Sequence, residues 1–167
     1  MSHRLLAATS VLSLLVRRGE TVAVAESLTA GLIGAALTAP SGASAAFAGG
    51  VLSYATEVKH RLLGVSADLL RREGAVHPRV AAEMADGVRR LVGSTYGLAA
   101  TGVAGPDPQD GKPVGTVHLA VSGPDGRVWH RDLHLAGSRE EIRQSTVNEA
   151  VDLLLGVLES NLGEHSG

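Results

Sequence analysis

Thr21-Val22-Ala23-Val24-Ala25-Glu26-Ser27-Leu28-Thr29-Ala30-Gly31-Leu32-Ile33-Gly34 is the stretch on which the fold of this chain turns. Val22 to Ala25 is a short apolar, partly β-branched run, whereas Leu32, Ile33, Ala36 and Leu37 recur at helical spacing. The period therefore changes from strand to helix at Glu26-Ser27-Leu28-Thr29. An elbow between strand tip and helix mouth exposes hydroxyls and unpaired backbone N–H groups where the helix end favours negative charge. That combination suits a nucleophile beside an anion cradle. Ser27 and Thr29 are also preferred helix-capping residues, so simple capping is the competing explanation.

Outward from the elbow, Leu5, Ala8, Leu12, Leu15 and Val16 form one stripe of an amphipathic first helix that ends at Gly19. Downstream, a helix to about Thr38 is stopped by Pro40, and Phe47 to Tyr54 reads as a strand carrying Gly49-Gly50, a pair that permits close approach of backbone or ligand. Lys59 and His60 fall in the first turns of a short helix ending at Leu63-Gly64. A second short helix closes at Gly74, and Pro78 opens a long one with Val80, Ala81, Met84, Ala85, Val88, Leu91 and Val92 as its buried stripe. Tyr96 to Ala100 is a third strand, followed by Thr101-Gly102-Val103-Ala104-Gly105-Pro106-Asp107. Val114 to Ser122 and Arg127 to Leu135 make a hairpin, its second strand alternating Trp129, Leu133 and Leu135 with His130, Asp132 and His134. Ser138-Arg139-Glu140-Glu141 is a capping box that opens a last helix to about Asn161.

Helical crossovers between the first three strands make them parallel, and the hairpin adds one antiparallel strand. The expected fold is α/β: a mixed, mostly parallel five-stranded sheet in a three-layer α/β/α sandwich. Length and a 44% hydrophobic composition fit one domain over residues 1–167 with a sizeable core. A net charge of −2 without a Lys/Arg cluster, and only four aromatic residues, argue against a nucleic-acid surface. The absence of cysteine excludes disulfides and thiolate metal sites and fits a reducing compartment, so a cytoplasmic protein is expected. Arg4 and the apolar run to Val16 imitate a secretory signal, but Arg17, Arg18 and Glu20 interrupt it and the segment is too short to cross a membrane.

Ligands of such sheets bind outside the carboxyl ends of the strands. Here all three crossover strands end in unusual residues: Ser27 and Thr29, then Tyr54 and Lys59, then Thr101 and Gly102. A structural cap or turn need not recur at every equivalent end, so their joint occurrence points to a site. A serine nucleophile needs a base within hydrogen-bond reach, and Lys59 and His60 are the candidates. Successive helical residues point about 100° apart, so only one can face Ser27. Lysine serves only when neutral, and burial without a carboxylate drives its pKa that way. Tyr54 is a candidate proton relay. Arg139 and Arg143 sit in the first turns of the last helix, where the dipole disfavours cations, which makes Arg139 an anion-contact candidate. Other motifs fail. Gly105 to Pro113 has neither the glycine spacing nor the Ser/Thr of a phosphate loop, no G-x-S-x-G surrounds Ser27, and His130 and His134 read as a solvated strand face rather than a metal site.

The ordered series Ala25-Glu26-Ser27-Leu28-Thr29-Ala30-Gly31, Gly49-Gly50-Val51-Leu52-Ser53-Tyr54, Lys59 with Leu63-Gly64-Val65, Gly74-Ala75-Val76, Thr101 to Pro106, Lys112 to Val117 and Gly137-Ser138-Arg139 resembles the CinA C-terminal domain family, over about Leu5 to Leu158. The resemblance implies a three-layer α/β/α domain. It also implies hydrolysis of nicotinamide mononucleotide to nicotinic acid mononucleotide and ammonia in pyridine-nucleotide salvage, without cofactor or metal. By the family pattern Ser27 is the nucleophile and Lys59 its base, with Tyr54 and Thr101 assisting. Thr29, Gly31, Gly50, Thr101, Gly102 and Arg139 are expected around the substrate, whose phosphate would lie against the helix mouths or Arg139. A homo-oligomer is expected. Three departures stand out: His77 where the family usually has serine, Ala55-Thr56 in place of Ser-Asn, and Leu28 in place of a frequent cysteine. Two other classes remain open: a module that binds nucleotides or a protein partner without turnover, linked to DNA uptake and recombination, and an amidase of another substrate.

Overall fold

Val22–Glu26 (β1) is buried at every position because both its faces are covered. This is the environment of a central parallel strand, and it explains a run too apolar to alternate. In the computed structural model, which describes residues 1–160, β1 lies between Phe47–Leu52 (β2) and Tyr96–Gly102 (β3), parallel to both. Thr116–Ser122 (β4) runs antiparallel to β3, and Val128–His134 (β5) antiparallel to β4, giving the order β2-β1-β3-β4-β5. The mixed five-stranded sheet is as expected.

His3–Arg18 (α1), Leu32–Thr38 (α2) and Arg139–Ser160 (α6) cover one face. Their apolar residues meet Val22, Val24, Leu98, Ala100, Leu119 and Val121. Thr56–Leu63 (α3), Ala67–Glu73 (α4) and Pro78–Val92 (α5) cover the other, against Ala23, Ala25, Ala99 and Ala120. Because strand side chains alternate, Glu26 belongs to the α2 side and Ser27 to the α3 side.

The punctuation works as read in the sequence. Gly19 and Gly64 are left-handed C-caps of α1 and α3, and Gly93, which the sequence reading did not single out, ends α5 in the same way. Ser138 Oγ accepts from the Glu141 N–H while Glu141 Oε1 accepts from the Ser138 N–H, which is the capping box of α6. Asn161, the sequence-based end of that helix, lies outside the described residues. Two details differ. The buried stripe of α1 runs through Ala7, Ala8, Val11, Leu12, Leu14 and Leu15, leaving Val16 exposed. On β5 the half-buried face includes Arg131, which is paired with Glu149 of α6, among Trp129 and Leu133. No helix among the described residues is long and apolar enough to cross a membrane.

Candidate active site

At the carboxyl end of β1 the backbone turns sharply to reach α2. Ala30 takes a positive φ and Gly31, at φ 101°, precedes the first helical residue, a conformation that favours glycine. Several N–H groups of this elbow are committed: Ser27 to the Ala100 carbonyl, Ala30 to Ser27, and Leu32 to Thr29. The next two, Ile33 and Gly34, donate to Oε1 and Oε2 of Glu26 at 2.8 and 3.0 Å. Glu26 is 1% exposed and folds back under α2, so its carboxylate occupies the helix mouth. The elbow therefore carries its own anion, which corrects the expectation that this mouth receives the substrate's phosphate. Among the described residues the N–H groups of Leu28 and Thr29 keep no acceptor.

On the opposite face of the sheet Lys59 rises from α3 to Ser27. Its Nζ donates to Ser27 Oγ at 2.9 Å, to the Ser53 carbonyl at 2.6 Å and to the Tyr54 carbonyl at 3.2 Å. Lys59 is 1% exposed, and no carboxylate pairs with it among the described residues. Burial alone lowers its pKa from about 10.5 to about 8. His60 turns away, its Nδ1 on the Val65 carbonyl at 2.8 Å. Helical geometry thus separates the two candidate bases as the 100° spacing required.

Ser27 opens onto a cleft lined also by Leu28, Tyr54, Gly102 to Gly105, Asp107, Gln109 and Arg139. Arg139 crosses its rim: Nη1 donates to the Gly105 carbonyl at 2.7 Å and Nη2 to Tyr54 Oη at 3.3 Å. Tyr54 is 62% exposed, and since its oxygen accepts from Arg139, its own proton is free for a ligand. Arg143, which sequence reasoning left without a role, donates from Nε to the Leu28 carbonyl at 2.9 Å and pairs with Glu140. It ties the elbow to α6.

The expected site residues thus divide. Ser27, Tyr54, Gly102 and Arg139 meet at one cleft, with Lys59 directly behind Ser27. Thr29, Gly31, Gly50 and Thr101 are not on its wall. Thr101 is buried, and its hydroxyl donates to the Ala75 carbonyl at 2.8 Å, holding the segment between α4 and α5. Gly50 is needed because a Cβ there would come within 2.6 Å of the Val24 carbonyl oxygen, a matter of sheet packing. Lys112 is likewise structural, bonded to the carbonyls of Glu73 and Val76. Of the departures, His77 still caps α5, its Nδ1 accepting from the Arg79 N–H, whereas Ala55 leaves α3 without a side-chain cap. Among the described residues no cluster of three or more His, Asp or Glu could hold a metal.

Residues 6–158 match the CinA C-terminal domain. The chain belongs to that family. A CinA-like protein of Frankia casuarinae is 57% identical over 148 residues, covering 89% of this chain and 34% of the relative. Another, from Parasynechococcus marenigrum, is 50% identical over 149 residues, covering 88% and 36%. The chain therefore spans about a third of the length of these curated relatives. Among solved structures, the competence/damage inducible protein CihA of Agrobacterium tumefaciens superposes with a TM-score of 0.90 at 35% identity, over 95% of this chain and 97% of that one. A CinA superfamily protein of Klebsiella pneumoniae gives 0.90 at 31% identity, over 95% and 99%. The three-layer α/β/α arrangement is thus that of the CinA C-terminal domain family.

Proposed function

We propose that this CinA-family domain is an amidohydrolase that converts nicotinamide mononucleotide to nicotinic acid mononucleotide and ammonia, in pyridine-nucleotide salvage. The observation that carries the proposal is the buried Lys59 Nζ, 2.9 Å from Ser27 Oγ with no carboxylate to keep it charged. The Ser53 and Tyr54 carbonyls can only accept, so a neutral amine keeps its two N–H groups on them. Its lone pair is then left facing Ser27, whose hydroxyl reverses the hydrogen bond and becomes the donor. Two backbone acceptors thus aim the base.

In this mechanism Ser27 Oγ bonds to the carboxamide carbon as its proton passes to Lys59. The developing oxyanion is assigned to the N–H of Leu28, the elbow residue beside Ser27 that lines the cleft and whose N–H keeps no acceptor among the described residues. The C–N bond then breaks, and Lys59 returns the proton to the departing ammonia. Water, deprotonated by the neutral Lys59, attacks the ester, and the acid leaves as Ser27 regains its proton. On this reading Arg139, on the cleft wall, is the phosphate contact, and Tyr54, which accepts from Arg139 there, offers its hydroxyl proton to the substrate.

The relatives are named CinA-like or competence-damage inducible, and those names assign no reaction. Incubation with nicotinamide mononucleotide while following ammonia and the acid product tests the proposal. Release well above the protein-free rate is expected, with nicotinamide and nicotinamide riboside as poorer substrates. No release from any of the three would overturn the proposal and leave a binding module or an amidase of another substrate.

A further inference from the structure

Among the described residues, four buried side-chain atoms lack a hydrogen-bond partner: Arg18 Nη1, Glu20 Oε1, Thr29 Oγ1 and Ser53 Oγ. Arg18 and Glu20 face each other at 3.7 Å as an ion pair. The remaining two are hydroxyls, and both adjoin Ser27. A buried hydroxyl without a partner is destabilising, so its retention calls for a cause.

Ser53 has the more informative position. β1 and β2 pair in parallel with Glu26 opposite Leu52, and the Ser53 N–H continues the ladder to the Glu26 carbonyl at 2.9 Å. One further step sets Ser53 beside Ser27. By alternation from Val51, which packs on the α3–α5 core, its side chain lies on the same face as Ser27 and Lys59. Its own carbonyl is 2.6 Å from Lys59 Nζ, and the residue is fully buried.

A lysine ammonium has three donors. In the free protein they are matched by Ser27 Oγ and the carbonyls of Ser53 and Tyr54. During the reaction proposed above the match fails. Once Ser27 Oγ is bonded to the substrate carbon and its proton sits on Lys59, that oxygen is a poor acceptor, and one N–H of a buried cation is left over. We propose that Ser53 Oγ is the reserve acceptor of Lys59, taking the third N–H of the ammonium between the attack of Ser27 on the substrate and the departure of ammonia. Ser53 is on this account a positioning residue. It holds the proton-bearing lysine until the proton moves to ammonia, and forms no bond with substrate.

The inference rests on the amidohydrolase reading, so its test includes a readout independent of turnover. Replacing Ser27 by alanine removes the same acceptor permanently. Titrating Lys59 through its 13C-labelled Cε signal in Ser27→Ala and in Ser27→Ala/Ser53→Ala then isolates the hydroxyl. The double variant is expected to lose the lysine proton at lower pH, by about one unit, since a hydrogen bond to a charged group is worth about tenfold in equilibrium. Identical midpoints would overturn the proposal whether or not the protein is an enzyme. In the turnover assay Ser53→Ala should lower kcat about tenfold or more with KM unchanged and thermal stability equal or higher, and Ser53→Thr should restore most of the rate. Parent kcat in Ser53→Ala would contradict it, whereas an inactive parent would count against the hydrolase reading alone.

Discussion

If Lys59 is the base, proton loss from its ammonium sets the acid limb of turnover. Burial brings its pKa to about 8, so the neutral amine is present in about a tenth of molecules at pH 7, half at pH 8 and nine tenths at pH 9. A lysine at its ordinary value of about 10.5 would be neutral in about 0.03% of molecules at pH 7. Burial therefore raises the competent fraction by roughly 300-fold. The assay is kcat/KM for ammonia release from nicotinamide mononucleotide between pH 6 and 10 at constant ionic strength. The value should rise about tenfold from pH 6 to 7, bend near 8 and level by about 9. The substrate's own phosphate titrates near 6 and cannot produce a bend two units higher. A limb near 6.5 would indicate a histidine, and a flat profile would indicate no titrating base; either refutes the reasoning. Stability carries the same signature. Between about pH 8 and 10.5 the unfolded chain holds a proton that native Lys59 has released, so the free energy of unfolding rises with pH through that window, by up to about 3 kcal/mol. Below about pH 8 both states hold the proton and the contribution has no slope. Lys59→Met should lose the rise.

The remaining predictions concern the supports of the site. Glu26→Ala leaves the buried Ile33 N–H and the part-buried Gly34 N–H without an acceptor and should cost about 2 to 3 kcal/mol in urea unfolding, with Glu26→Gln costing roughly half because one acceptor oxygen remains. Equal stability of Glu26→Ala and the parent would show that the cap is immaterial. Ala55→Ser supplies the missing cap of α3 at a residue already in the extended N-cap conformation, and should raise stability by about 1 kcal/mol, read as a higher Tm. Arg139→Ala should raise KM for nicotinamide mononucleotide about tenfold to a hundredfold, yet leave the unphosphorylated riboside little changed; an equal effect on both would remove Arg139 from the phosphate.

Much of this architecture was legible from period and punctuation. The switch from strand to helix around Ser27, the glycine C-caps and the capping box at Ser138 are local rules that tertiary packing does not override here. The meeting of Ser27 and Lys59 was also accessible, because parallel strands present their carboxyl ends to one edge. The inward reach of Glu26 was not. Caps are sought at the residue next to the helix, whereas this carboxylate acts from seven and eight residues before the N–H groups it receives. The signal was available in parity: Glu26 must point to the α2 side if Ser27 points to the α3 side. Thr101 illustrates the opposite error. Its place at a strand end suggested chemistry, but the carbonyl of Ala75, brought near only by the packing of α4 and α5, takes its hydroxyl. Arg143 was placed at the start of the last helix but given no role, because its partner, the Leu28 carbonyl, is 115 residues away.

The proposed hydrolysis depends on one hydroxyl, and its removal is the most direct test. Ser27→Ala protein, shown by its thermal transition to be folded like the parent, is mixed with nicotinamide mononucleotide at pH 9 and ammonia is followed. Release should fall by about a thousandfold or more, toward the protein-free rate. Ammonia release at the parent rate would contradict the account at its centre.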